Sequence, residues 1–433
     1  MRAVSSTPSA LRALRHRNFQ LFVIGQLISL IGTWMQQVAE SWLMYRLTGS
    51  AMLLGAIGFA GLFPVLVLGP IAGHVADKHD RRRILIITQI AAMVLAFILA
   101  ALTLTHLIHE WHLFVLATCL GIVNAFDMPA RQAFIVQVVE RDDLVNAIAL
   151  NSTMFNGARI VGPAIAGLVV AAVGEGWCFF ANGVSYIAVV VCLIVMRATR
   201  PPSTGGTGTA MENIIEGFRY VGTTAPVRAL LLLIGVVSFT GMPYAVLMPI
   251  FADRILHAGP SGMGILMGAA GAGALVSSIA MALRKSVKGL GKWVMIASMT
   301  FGASLIAFSS SHTFWLSVVF LVPVGGAMMM QMASSNTLIQ SMVPDELRGR
   351  VMAVYSMMFL GVAPFGSLAA GAVSNHIGAP LTLAGGGAIC IIASIVFGVR
   401  LPVLRGEARA LILAQRAVAG EPAAETTPTG AES

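Results

Sequence analysis

Charge is scarce in this chain: Asp, Glu, Lys and Arg make up 10% of its 433 residues, against roughly 25% in an ordinary soluble domain. With 57% of the residues hydrophobic, a water-soluble fold is excluded, because so few ionisable groups cannot dress a surface of that size. Cysteine is scarce as well. Cys119, Cys178, Cys192 and Cys390 all lie inside apolar runs without paired spacing. A thiol there behaves as a small hydrophobe, so neither a disulfide nor a metal site is expected. A glycine-rich phosphate loop ending in Gly-Lys-Ser or Gly-Lys-Thr is absent, which leaves an ATP-driven pump unsupported. No nucleophile, base and orienter stand at diagnostic spacing, so an enzyme is not expected, and no cofactor is called for.

What the chain has in abundance is long apolar runs. A bilayer core about 30 Å thick needs roughly 20 apolar residues of helix to cross it, because lipid offers no partner to an open backbone group. Runs of that kind recur at about 19–45, 52–72, 84–104, 113–130, 147–173, 177–196, 229–251, 262–283, 293–309, 314–342, 351–374 and 380–399. The fold class is therefore all-α, a polytopic membrane protein of twelve transmembrane helices. The first run follows a basic arm (Arg2, Arg12, Arg15, Arg17) and is too long for a signal-peptide core of about 7 to 15 residues, so it reads as an uncleaved first helix.

Lys and Arg number 27 against 18 acidic residues, an excess that in a soluble protein raises nucleic acid as a partner. Topology explains it better. With an even number of spans, all the Lys and Arg except Arg46, Arg254 and Arg159 fall on the side of the two termini, which the positive-inside rule makes cytoplasmic. No nucleic-acid partner is expected.

The stretch 197–227, with Pro201, Pro202 and a run of Gly, Thr and Ser, reads as a linker. It separates a bundle of six spans at 1–196 from another at 228–400, and the polar segment 401–433 reads as a disordered cytoplasmic tail. Displacing the chain by 204 residues lays Met154, Phe155, Gly157, Gly162, Ala166, Gly167, Val169 and Gly174 on Met358, Phe359, Gly361, Gly366, Ala370, Gly371, Val373 and Gly378, all identities. A glycine series held in register through a helix points to duplication, and internal repeats with a site at their interface are a common plan for secondary transporters.

After the second span the chain reads Gly73-His-Val-Ala-Asp77-Lys-His-Asp-Arg81-Arg82-Arg83, which resembles the signature loop of the Major Facilitator Superfamily. Gly73, Ala76, Asp77, Arg81 and Arg82 match; Val75 and Lys78 depart mildly, and Asp80 stands where a glycine is usual. The resemblance implies that Asp77 acts as a gate latch, meeting the cytoplasmic end of helix eleven and the cations Arg348 and Arg350 in the outward-facing state. The bland reading is a basic loop. Ala158, Gly162, Pro163, Ala166 and Gly167 resemble a glycine-proline signature of antiporter branches, and equally suit a helix-packing face. Leu14-Arg15-His16-Arg17-Asn18-Phe19, Leu47-Thr48-Gly49-Ser50 and Pro129-Ala-Arg131 resemble the enterobactin-exporter and macrolide-efflux branch.

At about 100° per residue, Gln26, Ser29, Thr33, Gln36 and Glu40 of the first span share an arc of about 80°. Lipid penalises such a stripe, so it should face another helix or a water-filled cavity. Glu40 is the candidate for carrying a coupling proton or binding a cationic substrate, with a structural bond to Arg46 as the alternative. Asn124, Asp127 and Arg131 share a face of helix four; the last two stand at i, i+4 and suit either a structural pair or a gate. Asn156 and Arg159 share a face of helix five. Arg159 lies roughly 18 Å from the helix start, near mid-bilayer, where a cation needs an interhelical partner, water or an anionic ligand.

Together these point to a secondary transporter: an exporter in a bacterial cytoplasmic (inner) membrane that exchanges protons for a small amphipathic, siderophore-like or drug-like molecule. An importer, a lipid flippase or a sensor on the same fold are the alternatives. The expected partners are the substrate, the lipid bilayer and a proton or other ion gradient, with a monomer permitted as the working unit.

Overall fold

A computed structural model describes residues 9–196, 210–284 and 289–418. Among them are twelve helices long and apolar enough to cross a membrane. The first half holds α1 (Arg17–Thr48), α2 (Ala51–Lys78), α3 (Arg81–Leu104), α4 (Glu110–Val138), α5 (Leu144–Val173) and α6 (Glu175–Val195). A connecting helix, α7 (Ala210–Thr223), leads to the second half. There α8 (Ala225–Thr240), α9 (Tyr244–Ile250) and a π-helical turn at Phe251–Ile255 make the seventh span. It is followed by α10 (Gly259–Ala282), α11 (Leu290–Ser309) and α12 (Phe314–Met342). The eleventh span joins α13 (Asp345–Ser356) to α14 (Ala363–Ile377) through a second π turn at Met357–Gly361, and α15 (Ala379–Val418) is the last. Ile87, Leu168, Val276 and Val399 are among many large apolar side chains left exposed, a belt that water would not tolerate and lipid accepts.

Local chemistry sets the helix ends. Gly49, at φ 61°, closes α1, and the Ser50 hydroxyl accepts from the Leu53 amide to open α2. Asp80, at the position where the signature loop usually has glycine, caps α3: its carboxylate accepts from the amides of Arg82 and Arg83 at 2.9 and 3.4 Å. Its φ of −63° needs no glycine. The duplicated pair Gly174 and Gly378 ends α5 and α14 at φ 91° and 85°, a region costly to any residue with a Cβ.

Two parts of the domain reading change. The loop expected over 197–227 contains a helix, because Ile214, Gly217 and Val221 recur on one face of α7, with Gly217 and Val221 buried. Gly217 lies flat on the Arg350 carbonyl of α13. The tail expected to be disordered from 401 continues α15 to Val418. Leu401, Leu404, Ala408, Leu411 and Ile412 form a helical stripe packed on the core of the second half, which gives that segment a partner. Pro201, Pro202, Lys288 and the tail beyond Val418 lie outside the described residues.

The basic arm is docked as well. Ala13 is fully buried with Phe19, Phe22 and Phe134, and its amide donates to Asn146 Oδ1 at 2.9 Å. His16 Nε2 and Arg12 Nε reach the Asp143 carboxylate at 2.9 and 2.8 Å. The His16 hydrogen bond first, then the Arg12 charge, holds that carboxyl below the usual carboxylate range.

Candidate functional site

The polar stripe of α1 divides between two surroundings. Gly25 and Gly32 lie against α6, and Asn182 Nδ2 of α6 donates to Gln36 Oε1 at 2.7 Å. Gln26, Ser29 and Gln36 are buried. On another side of the helix, Ile31, Trp34 and Met35 meet Gly162 of α5. Between these two contact sides, Thr33, Gln37, Glu40 and Ser41 span an arc of about 100° and are all at least partly exposed, although Val38, Ala39 and Leu43 beside them are closed. Thr33 donates to the Ser29 carbonyl at 2.8 Å and lies 3.5 Å from the Tyr186 hydroxyl.

Arg46 does not partner Glu40. Its guanidinium is bound to Glu175 at the start of α6, at 2.7 and 3.3 Å, so the structural alternative for Glu40 is taken by another carboxylate. Glu40 makes no hydrogen bond or ion pair with any described residue.

Asp127, the other carboxylate deep in a span, is the reverse case. It is 1% exposed and accepts from Thr88 Oγ1 at 2.9 Å and Gln89 Nε2 at 2.8 Å, besides its ion pair with Arg131. That set joins α3 to α4 inside the first half, and its geometry is that of a structural node closed to solvent. Asn124, one turn earlier, is partly exposed. Asn156 is buried and turned back on the Ser152 carbonyl at 2.8 Å.

Arg159 sits where α1, α5 and α10 meet. Its guanidinium lies over the Trp34 ring, 5.6 Å from the centroid, and its carbonyl oxygen would be 2.9 Å from a Cβ on Gly271 of α10. It has no carboxylate partner among the described residues. The aromatic face supplies part of the compensation that a mid-membrane cation needs.

On the face away from the termini the two halves are fastened together. Tyr45 of α1 donates its hydroxyl to Asp253 at 2.7 Å and accepts from Arg254 Nε at 3.1 Å; Arg254 also donates to the Gly49 carbonyl at 3.1 Å. Gly167 of α5 lies against Gly264 of α10, and Gly371 of α14 against Gly55 of α2. The glycine-proline stretch therefore packs in two directions: Gly162 on α1 of its own half, and Pro163 and Gly167 on the opposite half.

The face that carries the termini differs. Asp77 is exposed and, among the described residues, has only Arg81, 3.7 Å away, as ion-pair partner. Arg348 pairs with Asp345 at 2.5 Å, and Arg350 with Glu216 of α7 at 2.5 Å. The contact expected between Asp77 and Arg348 or Arg350 is thus not made in this conformation. Arg81 donates to the carbonyls of Ala76 and Ala133 at 3.2 and 3.3 Å, and Arg82 to those of Leu193 and Ile194 at 2.6 and 2.7 Å. Both arginines staple the loop onto α4 and α6, the latter at the negative end of a helix.

Sequence reasoning missed Gln37 and Ser41, which lie about 20° and about 60° beyond the arc of the stripe. It also missed the Asp253 lock and the Glu216 bond. Asp253 stands beside one of the few cations away from the termini, a signal available in the charge count.

A family model described as transmembrane secretion effector matches residues 8–427. The curated relatives that are 26% identical include a staphyloferrin A transporter of Staphylococcus aureus (strain NCTC 8325 / PS 47), over 87% of this chain and 94% of that one, and the multidrug efflux pump Tap of Mycolicibacterium fortuitum, over 83% and 89%. The fold is shared with a bacterial homologue of the human lysosomal transporter Spinster in an inward-facing, unoccupied conformation, at TM-score 0.63 and 16% identity, covering 97% of this chain and all of that one. Twelve spans, the Asp77 loop and a family match over nearly the full length together place this chain in the Major Facilitator Superfamily, among its transmembrane secretion effectors: it is a membrane transporter, not an enzyme.

Proposed function

We propose that this protein is a proton-coupled exporter of small amphipathic molecules, siderophore-like or drug-like, seated in the cytoplasmic membrane of a bacterium with both termini in the cytoplasm. The names of the relatives support the substrate class, and the basic residues gathered on the terminal face support the orientation.

One observation carries the coupling. Of the carboxylates deep within the spans, Asp127 is partnered on three sides and Glu40 has no partner among the described residues. An unpaired carboxylate at a partly exposed position between helices is costly when charged. A proton or a cationic substrate relieves that cost, and the two compete for one site, which is the elementary requirement for exchange. Gln37, Thr33 and Ser41 line the same side of α1 and supply hydrogen bonds to a ligand. Arg159, on Trp34, attracts acidic or aromatic parts of a ligand.

In this reading the conformation opens toward the cytoplasm, held by the Tyr45–Asp253–Arg254 lock and the two glycine seams. Export requires those contacts to part and the opposite ends to close, bringing Asp77 to the start of α13, whose positive helix end and Arg348 and Arg350 suit a carboxylate. The test is transport by purified protein in liposomes under an imposed pH gradient, with siderophore-like and cationic amphiphilic compounds. Gradient-driven movement of at least one class is expected. No movement in either gradient direction would overturn the proposal.

A further inference from the structure

On the terminal face of the second half, α8, α11, α12 and α15 enclose a cavity of about 700 Å³ that is not part of the α1 site. Its floor is apolar, with Leu230, Leu338 and Phe397, while Lys292, Arg405 and Arg409 are the charged residues that line it. No carboxylate is among its lining residues. Glu407, between the two arginines in sequence, is turned about 200° from Arg405 along the helix. None of the three cations has an ion-pair partner among the described residues.

The depth is that of lipid headgroups. Counting from Ala379 at the far end of α15, Arg405 lies about 39 Å along the helix. A bilayer core is about 30 Å thick, and its headgroup zones bring the total to about 40–45 Å. Trp293 beside Lys292 is 42% exposed and carries Arg284 over its ring at 5.7 Å, the aromatic and basic combination found at membrane interfaces.

We propose that this cavity binds an anionic phospholipid of the leaflet on the terminal face, its phosphate among Lys292, Arg405 and Arg409 and its acyl chains along the apolar floor. Charge complementarity selects the occupant: basic pockets between spans at this depth recognise acidic headgroups, and a zwitterionic lipid would leave the cations without a net counter-charge. The bound lipid would also pin the stripe of α15 that continues past the membrane.

Native mass spectrometry of the full chain, released from micelles doped with phosphatidylglycerol or phosphatidylcholine, tests this. Phosphatidylglycerol should be retained in preference, and K292Q/R405Q/R409Q should lower its retention roughly tenfold or more while phosphatidylcholine adducts stay unchanged. R405K/R409K, which keeps the charge, should retain it and guards against a folding defect. Equal retention of the two lipids, or no change in the triple variant, would overturn the proposal. So would thermal stabilisation by inorganic phosphate equal to that by phosphatidylglycerol, since the site would then hold an anion without a lipid.

Discussion

Gly55 and Gly371 touch backbone to backbone: a Cβ on Gly55 would stand 3.0 Å from the Gly371 Cα, and one on Gly371 would stand 2.9 Å from the Gly55 Cα. A second seam between the two halves repeats the arrangement. A Cβ on Gly264 would lie 3.0 Å from the Gly167 Cα, and one on Gly167 would lie 3.1 Å from the Gly264 Cα. Gly167 and Gly371 are one of the pairs related by the displacement of 204, so the duplication has placed the same residue in both seams. Small residues let helices approach closely, and the van der Waals packing this allows is one of the forces that hold spans together in lipid.

Alanine at Gly371 or Gly167 must therefore push two helices apart, at about 1–3 kcal/mol for overpacking. Spin labels at the outer ends of α2 and α14 should move apart in G371A. They should stay in place in G69A, where a Cβ meets nothing within 4 Å.

Asp127 and Glu40 should separate in stability measurements. D127A leaves Arg131 without its ion-pair partner and removes the acceptor of Thr88 and Gln89, so a loss of about 3–5 kcal/mol is expected, seen as a clear drop in melting temperature in detergent. E40Q breaks no bond with any described residue and removes a carboxylate that is costly when charged, so its melting temperature should not fall below that of the parent.

The Asp143 carboxyl, held below the usual range by His16 and Arg12, gives a pH dependence with a definite sign. A lowered folded-state pKa contributes stability that is fully present above the unfolded carboxylate pKa of about 3.9. It is lost as pH falls through the lower folded value. Amide exchange in residues 9–22 should be faster in D143N than in the parent at pH 7, and the difference should vanish in strongly acidic buffer.

Glu216 holds Arg350 in the present conformation. E216Q should loosen α7 from α13, raising protease sensitivity between 210 and 223, by no more than about 1 kcal/mol for an exposed pair. D77N should leave that sensitivity unchanged while slowing transport, because Asp77 makes no contact across the halves among the described residues and, in the proposed cycle, acts only when this face closes.

The fold was legible because lipid imposes a length and a composition on each span, and because glycines such as Gly174 and Gly378 serve one backbone need twice. Helix continuation past residue 400 was harder to see. Arg405, Glu407 and Arg409 mask the apolar stripe of Leu401, Leu404, Ala408 and Ile412 when composition alone is weighed. At the site, periodicity places Glu40 and Gln36 on one stripe but cannot divide them, since the division depends on where α6 lies: Gln36 meets Asn182, and Glu40 meets no polar partner among the described residues. The fate of Arg46 was likewise hidden, its partner Glu175 being 129 residues away. The contact expected of Asp77 with Arg348 or Arg350 is not made in this conformation, and no sequence tells which conformation a chain adopts.

Substrate-triggered proton flux into liposomes, read by a trapped pH dye, tests the role of Glu40 most directly. The parent should move protons when substrate is added, and E40Q, folded as judged by its melting temperature, should lose at least about nine-tenths of that flux. Flux in E40Q equal to that of the parent would contradict the assignment of Glu40 as the coupling carboxylate.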